Sequence, residues 1–325
     1  MNSFRPTSAW ITNYIFQNSN REMKKVIILL IMTLVVASQT NASDNSDQHE
    51  NGKIDIGVIV SDITHIEKEF ADLHQSGFGA CQLYYNLAYD RSTADRVKKA
   101  AKENKIKITT LVYVVPGAVW TFLDGPSTIG LVPREGREEK VGLCKKAIDF
   151  CVMAEIPAFH SHLGFVPEDP KDVLYGEFIA AMRDVANYSK ERGIILLYET
   201  GQETPTTLIR SIRDIGTGNV FINCDLANLV MYGKANALDA VKMFGPLIKE
   251  FHAKDGLYPS PDDPYSLGKE VNIPEGEVNF PAVIRELKKQ NFNGALIIER
   301  EFGDNQREYV IRTKKYLEEL IAGEN

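Results

Sequence analysis

VFINCDLANLVMYG, residues 220–233, begins as an apolar strand and stops on a carboxylate, Asp225, with Asn228 three residues further on. A buried strand that runs straight into an acid says little alone and much if it recurs. Outward from it, apolar runs rich in Val, Ile and Leu occupy 54–60, 79–85, 106–115, 156–164, 194–199, 220–225, 248–255 and 294–301, which predicts strands. Amphipathic segments follow them at 64–77, 92–104, 137–154, 172–193, 205–216, 237–248, 280–291 and 305–321, which predicts helices. Strict alternation of this kind is the pattern of parallel strands with crossover helices. Eight such units over residues 54–325 predict an α/β fold, a (β/α)8 TIM barrel in a single domain. An open doubly wound sheet is the competing architecture. It would place a glycine-rich phosphate turn after its first strand, where this chain reads SDITHIEK.

The 325 residues are 44% hydrophobic, enough for a large core. A formal charge of -7 without a long basic run argues against nucleic acid and anionic membrane surfaces as partners. The N-terminal stretch does not read as fold. Met23-Lys24-Lys25 precede VIILLIMTLVVA (26–37), then a small-residue exit, Thr40-Asn41-Ala42, and a polar stretch. A basic pair, a short apolar core and such an exit describe a secretory signal peptide. The apolar run is shorter than the roughly 20 residues that cross a bilayer, so no stable membrane insertion is expected after its removal. A membrane anchor and a buried strand are its alternative readings. Residues 1–42 thus read as an upstream extension and signal peptide, 43–53 as a solvated linker, and 54–325 as the catalytic barrel of an exported, periplasmic protein. Cys81, Cys144, Cys151 and Cys224 sit in or beside apolar segments without a C-x-x-C pair, which predicts structural burial.

In a TIM barrel the functional groups gather where the strands end. The fifth expected strand ends on Glu199 and the sixth on Asp225; the seventh carries His252, and the eighth Glu299 and Glu301. Each has a plainer reading, since a strand-end carboxylate often caps the next helix. Jointly, three carboxylates at one apolar mouth would repel each other, a cost that a divalent cation removes. Three carboxylates and an imidazole form a hard, oxygen-rich set. It predicts one divalent metal ion, Mn²⁺, Mg²⁺ or Co²⁺ ahead of Zn²⁺.

These residues resemble the sugar phosphate isomerase/epimerase family of the xylose isomerase-like TIM barrels. The resemblance runs from about residue 54 to the end. It is strongest in CDLANLVMYG, EFHAKD and IPEGEVNFPAVIRELKKQNFNGALIIERE. It implies that family's metal site on Glu199, Asp225, His252 and Glu299. The superfamily also holds ketose 3-epimerases, inosose dehydratases and the endonuclease IV type of DNA repair enzyme. Ketose 3-epimerases carry a substrate-binding His three residues after the sixth-strand Asp and an Arg six residues after the seventh-strand His. This chain has Asn228 and Tyr258 there, so it departs from their manner of holding a free ketose. The endonuclease IV type adds His and Asp ligands for three zinc ions, whereas this chain keeps Asn228 and has no His in 256–279.

Further candidates surround that set. His160 and His162 share a face of the fourth strand, and His162, nearer its end, reaches toward the site or serves structure. Lys254 shares a face with His252, and Glu301 stands likewise to Glu299; each is a substrate contact or, for Lys254, a rim salt bridge. Trp120, in PGAVWTFLDGPSTIG (116–130), lids the mouth and stacks on a sugar or simply packs. Asn228 completes the substrate-binding candidates. Glu199 and Glu299, across the metal, are the expected catalytic pair, one taking a carbon-bound proton and the other returning it through an enediolate. That chemistry makes the chain a metal-dependent isomerase or epimerase of a small unphosphorylated carbohydrate or hydroxy-carbonyl compound. The alternatives are a lyase or dehydratase of a keto-sugar, keto-glycoside or inosose, and a non-catalytic carbohydrate-binding barrel. A homo-oligomer is compatible with the sequence.

Overall fold

The computed structural model describes residues 54–263, 265–300 and 306–323. The expected signal peptide and linker, and Glu301, lie outside these residues. Eight parallel strands close into a barrel: β1 (Asp55–Val60), β2 (Ala80–Tyr84), β3 (Lys107–Val112), β4 (Ala158–Ser161), β5 (Ile195–Glu199), β6 (Val220–Asp225), β7 (Ile248–Ala253) and, after a two-stranded interruption, β10 (Ala295–Ile298). The order around the ring is β1-β10-β7-β6-β5-β4-β3-β2, so β10 closes it between β1 and β7.

The crossover helices are α1 (Ile66–Gln75), α2 (Arg91–Glu103), α4 (Arg137–Ala154), α5 (Val173–Lys190), α6 (Pro205–Ile215), α8 (Ala237–Phe244), α9 (Phe280–Lys289) and α10 (Gln306–Ala322). Several start where a side chain satisfies an otherwise orphan N–H. Asp90 accepts from Thr93 N, Asp172 from Leu174 N, and Thr204, with Pro205 behind it, from Thr207 N. Phe70, Val97, Ile148, Phe178, Leu208 and Phe280 pack their faces against the strands in one continuous core. The lumen is plugged at its lower end by Ala80, Ala295, Ile297 and Ile59. Gly57 permits that closure, because a Cβ there would stand 2.6 Å from Ala80 O. All four cysteines are buried and unpaired. No helix among the described residues is long and apolar enough to cross a membrane.

Three details differ from the expectation. The 248–255 run is not one strand: β7 ends at Ala253, and Asp255 begins β8 (Asp255–Leu257), paired antiparallel with β9 (Lys269–Val271). Asp255 causes the turn-back, accepting the N–H groups of Gly256, Gly276 and Val278 at 2.9, 2.9 and 3.1 Å. Short helices α3 (Gly125–Thr128) and α7 (Leu226–Met231) also form, in stretches where the sequence pattern predicts no helix.

Candidate metal centre and its cavity

Side chains of Glu199, Asp225, His252 and Glu299 each offer one ligand atom, and these atoms lie within 4.8 Å of one another. Their strands are four consecutive neighbours in the ring, β5, β6, β7 and β10, with the two glutamates at the ends of the arc. Register explains the convergence: Asp225 pairs with His252, and Glu299, just past β10, donates its N–H to Ala253 O.

Asp225 has two tasks. Its Oδ1 accepts Asn228 N at 2.8 Å and caps α7, as strand-end carboxylates often do. That bond fixes the carboxylate so that Oδ2, buried without a hydrogen-bond partner, faces the cluster. His252 Nδ1 stands 2.9 Å from Glu299 Oε2, 3.2 Å from Glu199 Oε1 and 3.8 Å from Asp225 Oδ2, again without an aligned hydrogen bond. On its other side, His252 Nε2 lies 2.9 Å from Gln82 Oε1, while Gln82 Nε2 donates to Asn223 Oδ1 at 3.2 Å. With the amide nitrogen so committed, Oε1 accepts the Nε2 proton and leaves Nδ1 as the ring atom that faces the carboxylates, whose charge raises the imidazole well above its ordinary pKa; a cation there would take the place of the Nδ1 proton. The sheet register shifts beside both Gln82 and Asn223, which aims these two side chains at each other across the lumen.

Charge decides what fits here. Three carboxylates converge, and the Lys254 ammonium meets them from within, 3.3 Å from Asp225 Oδ2 and 3.2 Å from Glu299 Oε2. Lys254 is 1% exposed, so it sits in the wall of the centre, not on an open rim. Burial works against the ionised form of Glu299, but Lys254 and His252 outweigh it and hold the carboxyl at about 2. Burial likewise opposes ionisation of Glu199, and His162, His160 and His252 together hold it well below the ordinary range. One lysine leaves the set negative, and two of its buried atoms lack hydrogen bonds. The residues therefore fit a divalent cation held by Glu199, Asp225, His252 and Glu299.

The other candidates fall around Glu199. Asn228 Nδ2 donates to its Oε1 at 3.2 Å, and His162 Nε2 lies 2.9 Å from its Oε2. His160, read from the sequence only as His162's companion, stands 2.5 Å from the same oxygen. Trp120 sets its ring edge to face on His162, with centroids 4.6 Å apart. Trp120, His162, Asn228 and Glu299 line a cavity of about 610 Å³ above the cluster. Sequence reasoning passed over Gln202, which also lines it, and Glu203 beside it. Gln202 is 2% and Glu203 1% exposed, and no polar atom of either side chain has a hydrogen-bond partner. It also passed over Gln82, whose one signal was an amide in the middle of an apolar strand.

A family model described as xylose isomerase-like TIM barrel matches residues 70–320. Among solved structures, a xylose isomerase domain protein from Planctomyces limnophilus is 27% identical, with a TM-score of 0.76 over 82% of this chain and 97% of its own. A xylose isomerase-like TIM barrel protein from Mycobacterium smegmatis, in complex with magnesium, is 14% identical, with a TM-score of 0.62 over 84% of this chain and 98% of its own. An L-ribulose 3-epimerase is 16% identical, with a TM-score of 0.64 over 83% of this chain and 95% of its own. No curated protein matches the sequence.

Proposed function

The chain belongs to the xylose isomerase-like TIM barrel family, and on that premise we propose that it is a divalent-metal-dependent isomerase or epimerase of a carbohydrate or related hydroxy-carbonyl compound. The observation that carries this reading is the convergence of Glu199, Asp225, His252 and Glu299 within 4.8 Å beneath a cavity of about 610 Å³. A divalent cation, Mn²⁺, Mg²⁺ or Co²⁺ ahead of Zn²⁺, supplies Lewis acidity toward a carbonyl and the hydroxyl beside it.

The chain's own groups do the rest. Glu199 and Glu299, at the ends of the arc, are both held ionised and so fit the role of base. One removes the proton from the carbon next to the carbonyl and later yields it to solvent; the other takes a proton from water in the cavity and passes it to the enediolate between. Return to the same carbon from the opposite face is epimerisation; return to the neighbouring carbon is isomerisation. Asn228 and His162 orient Glu199, and Trp120 covers His162 from the cavity side.

A second reading is a lyase or dehydratase, in which the same enediolate expels a substituent from the next carbon. His162 favours it. Burial disfavours its charged form, but Glu199 and Glu299 outweigh this and raise its pKa, so an acid stands in the cavity wall for a leaving group. We place the enzyme outside the cytoplasm on the strength of the apolar run behind Met23-Lys24-Lys25, and so favour an unphosphorylated substrate.

The test is turnover of ketoses and keto-sugars by Mn²⁺-loaded protein in D₂O. Deuterium should enter at the carbon beside the carbonyl, and Glu299→Gln should slow it by roughly 10²–10⁴-fold with the fold kept. Turnover without such exchange, or unchanged in Glu299→Gln, refutes proton transfer by this pair.

A further inference from the structure

A single pyranose ring with its hydroxyls needs on the order of 200 Å³ at the packing density of a protein interior. The cavity above the cluster, at about 610 Å³, leaves most of its space to something else. Its lining is chemically mixed. His162, Gln202, Asn228, Lys269, Glu270 and Glu299 are polar, while Val114, Trp120, Met231 and Leu267 bring apolar surface. A free sugar presents hydroxyls in every direction and would leave that apolar surface unmatched.

Beyond the cavity the apolar character continues. Val119, Trp120 and Leu123, between β3 and α4, are 40, 40 and 72% exposed, and Tyr258 and Tyr265, beyond β7, are 42 and 72% exposed. Both segments follow the C-terminal ends of strands, so both lie on the side of the barrel that carries the cavity. Exposed apolar side chains beside a cavity mouth mark a binding surface. Trp120 packs edge-to-face on His162 and keeps 40% of its surface open. An indole placed in this way is a platform for a ring. In the cavity lining, the Gln202 amide is buried with both its donor and its acceptor unused, the arrangement that a vicinal pair of hydroxyls satisfies.

We propose that the cavity takes a glycoside, a carbohydrate whose reacting ring carries a second sugar ring or an aromatic aglycone. The reacting ring's hydroxyls meet Gln202, and the appended ring lies on Trp120. This rests on the carbohydrate reading of the metal centre and narrows it: a free monosaccharide fills only the inner part of the site.

The sequence provides a direct probe. Its two tryptophans are Trp10 and Trp120, so Trp10→Phe leaves Trp120 as the sole indole emitter. Mn²⁺ binding to the full chain is measured first by calorimetry. The Mn²⁺-loaded protein is then titrated with cellobiose, maltose, lactose and phenyl glucosides, and with free D-glucose, D-galactose and D-fructose. At least one disaccharide or phenyl glycoside should shift the Trp120 emission and bind about tenfold more tightly than any free monosaccharide. Trp120→Ala, followed by calorimetry, should erase that advantage. Gln202→Met should weaken glycosides and monosaccharides alike, with Mn²⁺ affinity unchanged. Mn²⁺ binding with no preference for glycosides, or with no sugar bound at millimolar concentration, overturns this proposal alone. A chain that binds no Mn²⁺ removes the underlying reading and this proposal with it. Emission that follows protein concentration and not glycoside gives the aromatic rim to a second copy of the chain, and also overturns it.

Discussion

Gln82 Oε1 accepts the Nε2 proton of His252 at 2.9 Å, from the far side of the imidazole ring. The bond selects the tautomer and holds the ring plane toward the carboxylates. Gln82→Met keeps the volume and removes the acceptor. It should lower Mn²⁺ affinity by about 10–100-fold, as loss of a ligand's hydrogen-bonded support does. Calorimetric titration checks this, with circular dichroism to show that the barrel persists. An unchanged affinity would leave Gln82 a lumen-filling residue.

Glu203 gives the protein a pH dependence opposite in sign to that of an ordinary surface carboxylate. Burial pushes its carboxyl up to about 8 from the usual 4.5, against the lowering influence of His162 and Lys234. Between those values the folded chain holds a proton that the unfolded chain has released, so folding stability falls as pH rises through that window. Glu203→Gln removes this penalty. It should be nearly neutral at pH 5 and stabilising at pH 8 by on the order of a few kcal/mol. Denaturant unfolding at the two pH values measures the difference; an equal effect at both contradicts the assignment.

Asp255 holds the β8–β9 hairpin through three backbone N–H groups. Asp255→Ala leaves those donors without an acceptor and should cost about 3 kcal/mol or more. Gly276→Ala should act through the same contact, because a Cβ there would stand 2.2 Å from Asp255 Oδ1. Thermal unfolding reports both losses. Limited proteolysis within 256–272 should show the hairpin opening first.

Asp225 allows its two tasks to be separated. Asn caps a helix as well as Asp does, whereas Ala does not. Asp225→Asn should therefore keep metal-free stability while Mn²⁺ affinity falls steeply, and Asp225→Ala should lose the affinity and about 1 kcal/mol of stability besides. Unfolding curves with and without Mn²⁺ distinguish the two.

The barrel and the four converging side chains were readable because both depend on local regularities. Strand runs alternate with amphipathic segments, and Glu199 and Asp225 are the last residues of their strands. Period two also gave the shared face of His252 and Lys254. It did not give the depth of Lys254, which depends on β7 ending two residues earlier than expected and the chain turning back at Asp255. The hairpin was hidden because its two strands have three residues each, too few to show a period. Gln82 and Gln202 were hidden for another reason. An amide has no chemistry that announces itself in sequence, and both matter only through residues brought beside them by closure of the ring.

The placement of Glu299 has a consequence for the order in which the molecule is made. Three of the four candidate ligands, Glu199, Asp225 and His252, leave the ribosome well before the last strand. The fourth rides on the segment that joins β7 to β1 and shuts the ring. A nascent chain short of residue 299 holds an incomplete, mutually repelling trio of donors on an open sheet. On the proposed metal reading, uptake of a cation belongs to the final stage of maturation, and a chain that holds an ion has already brought its first strand and its last together.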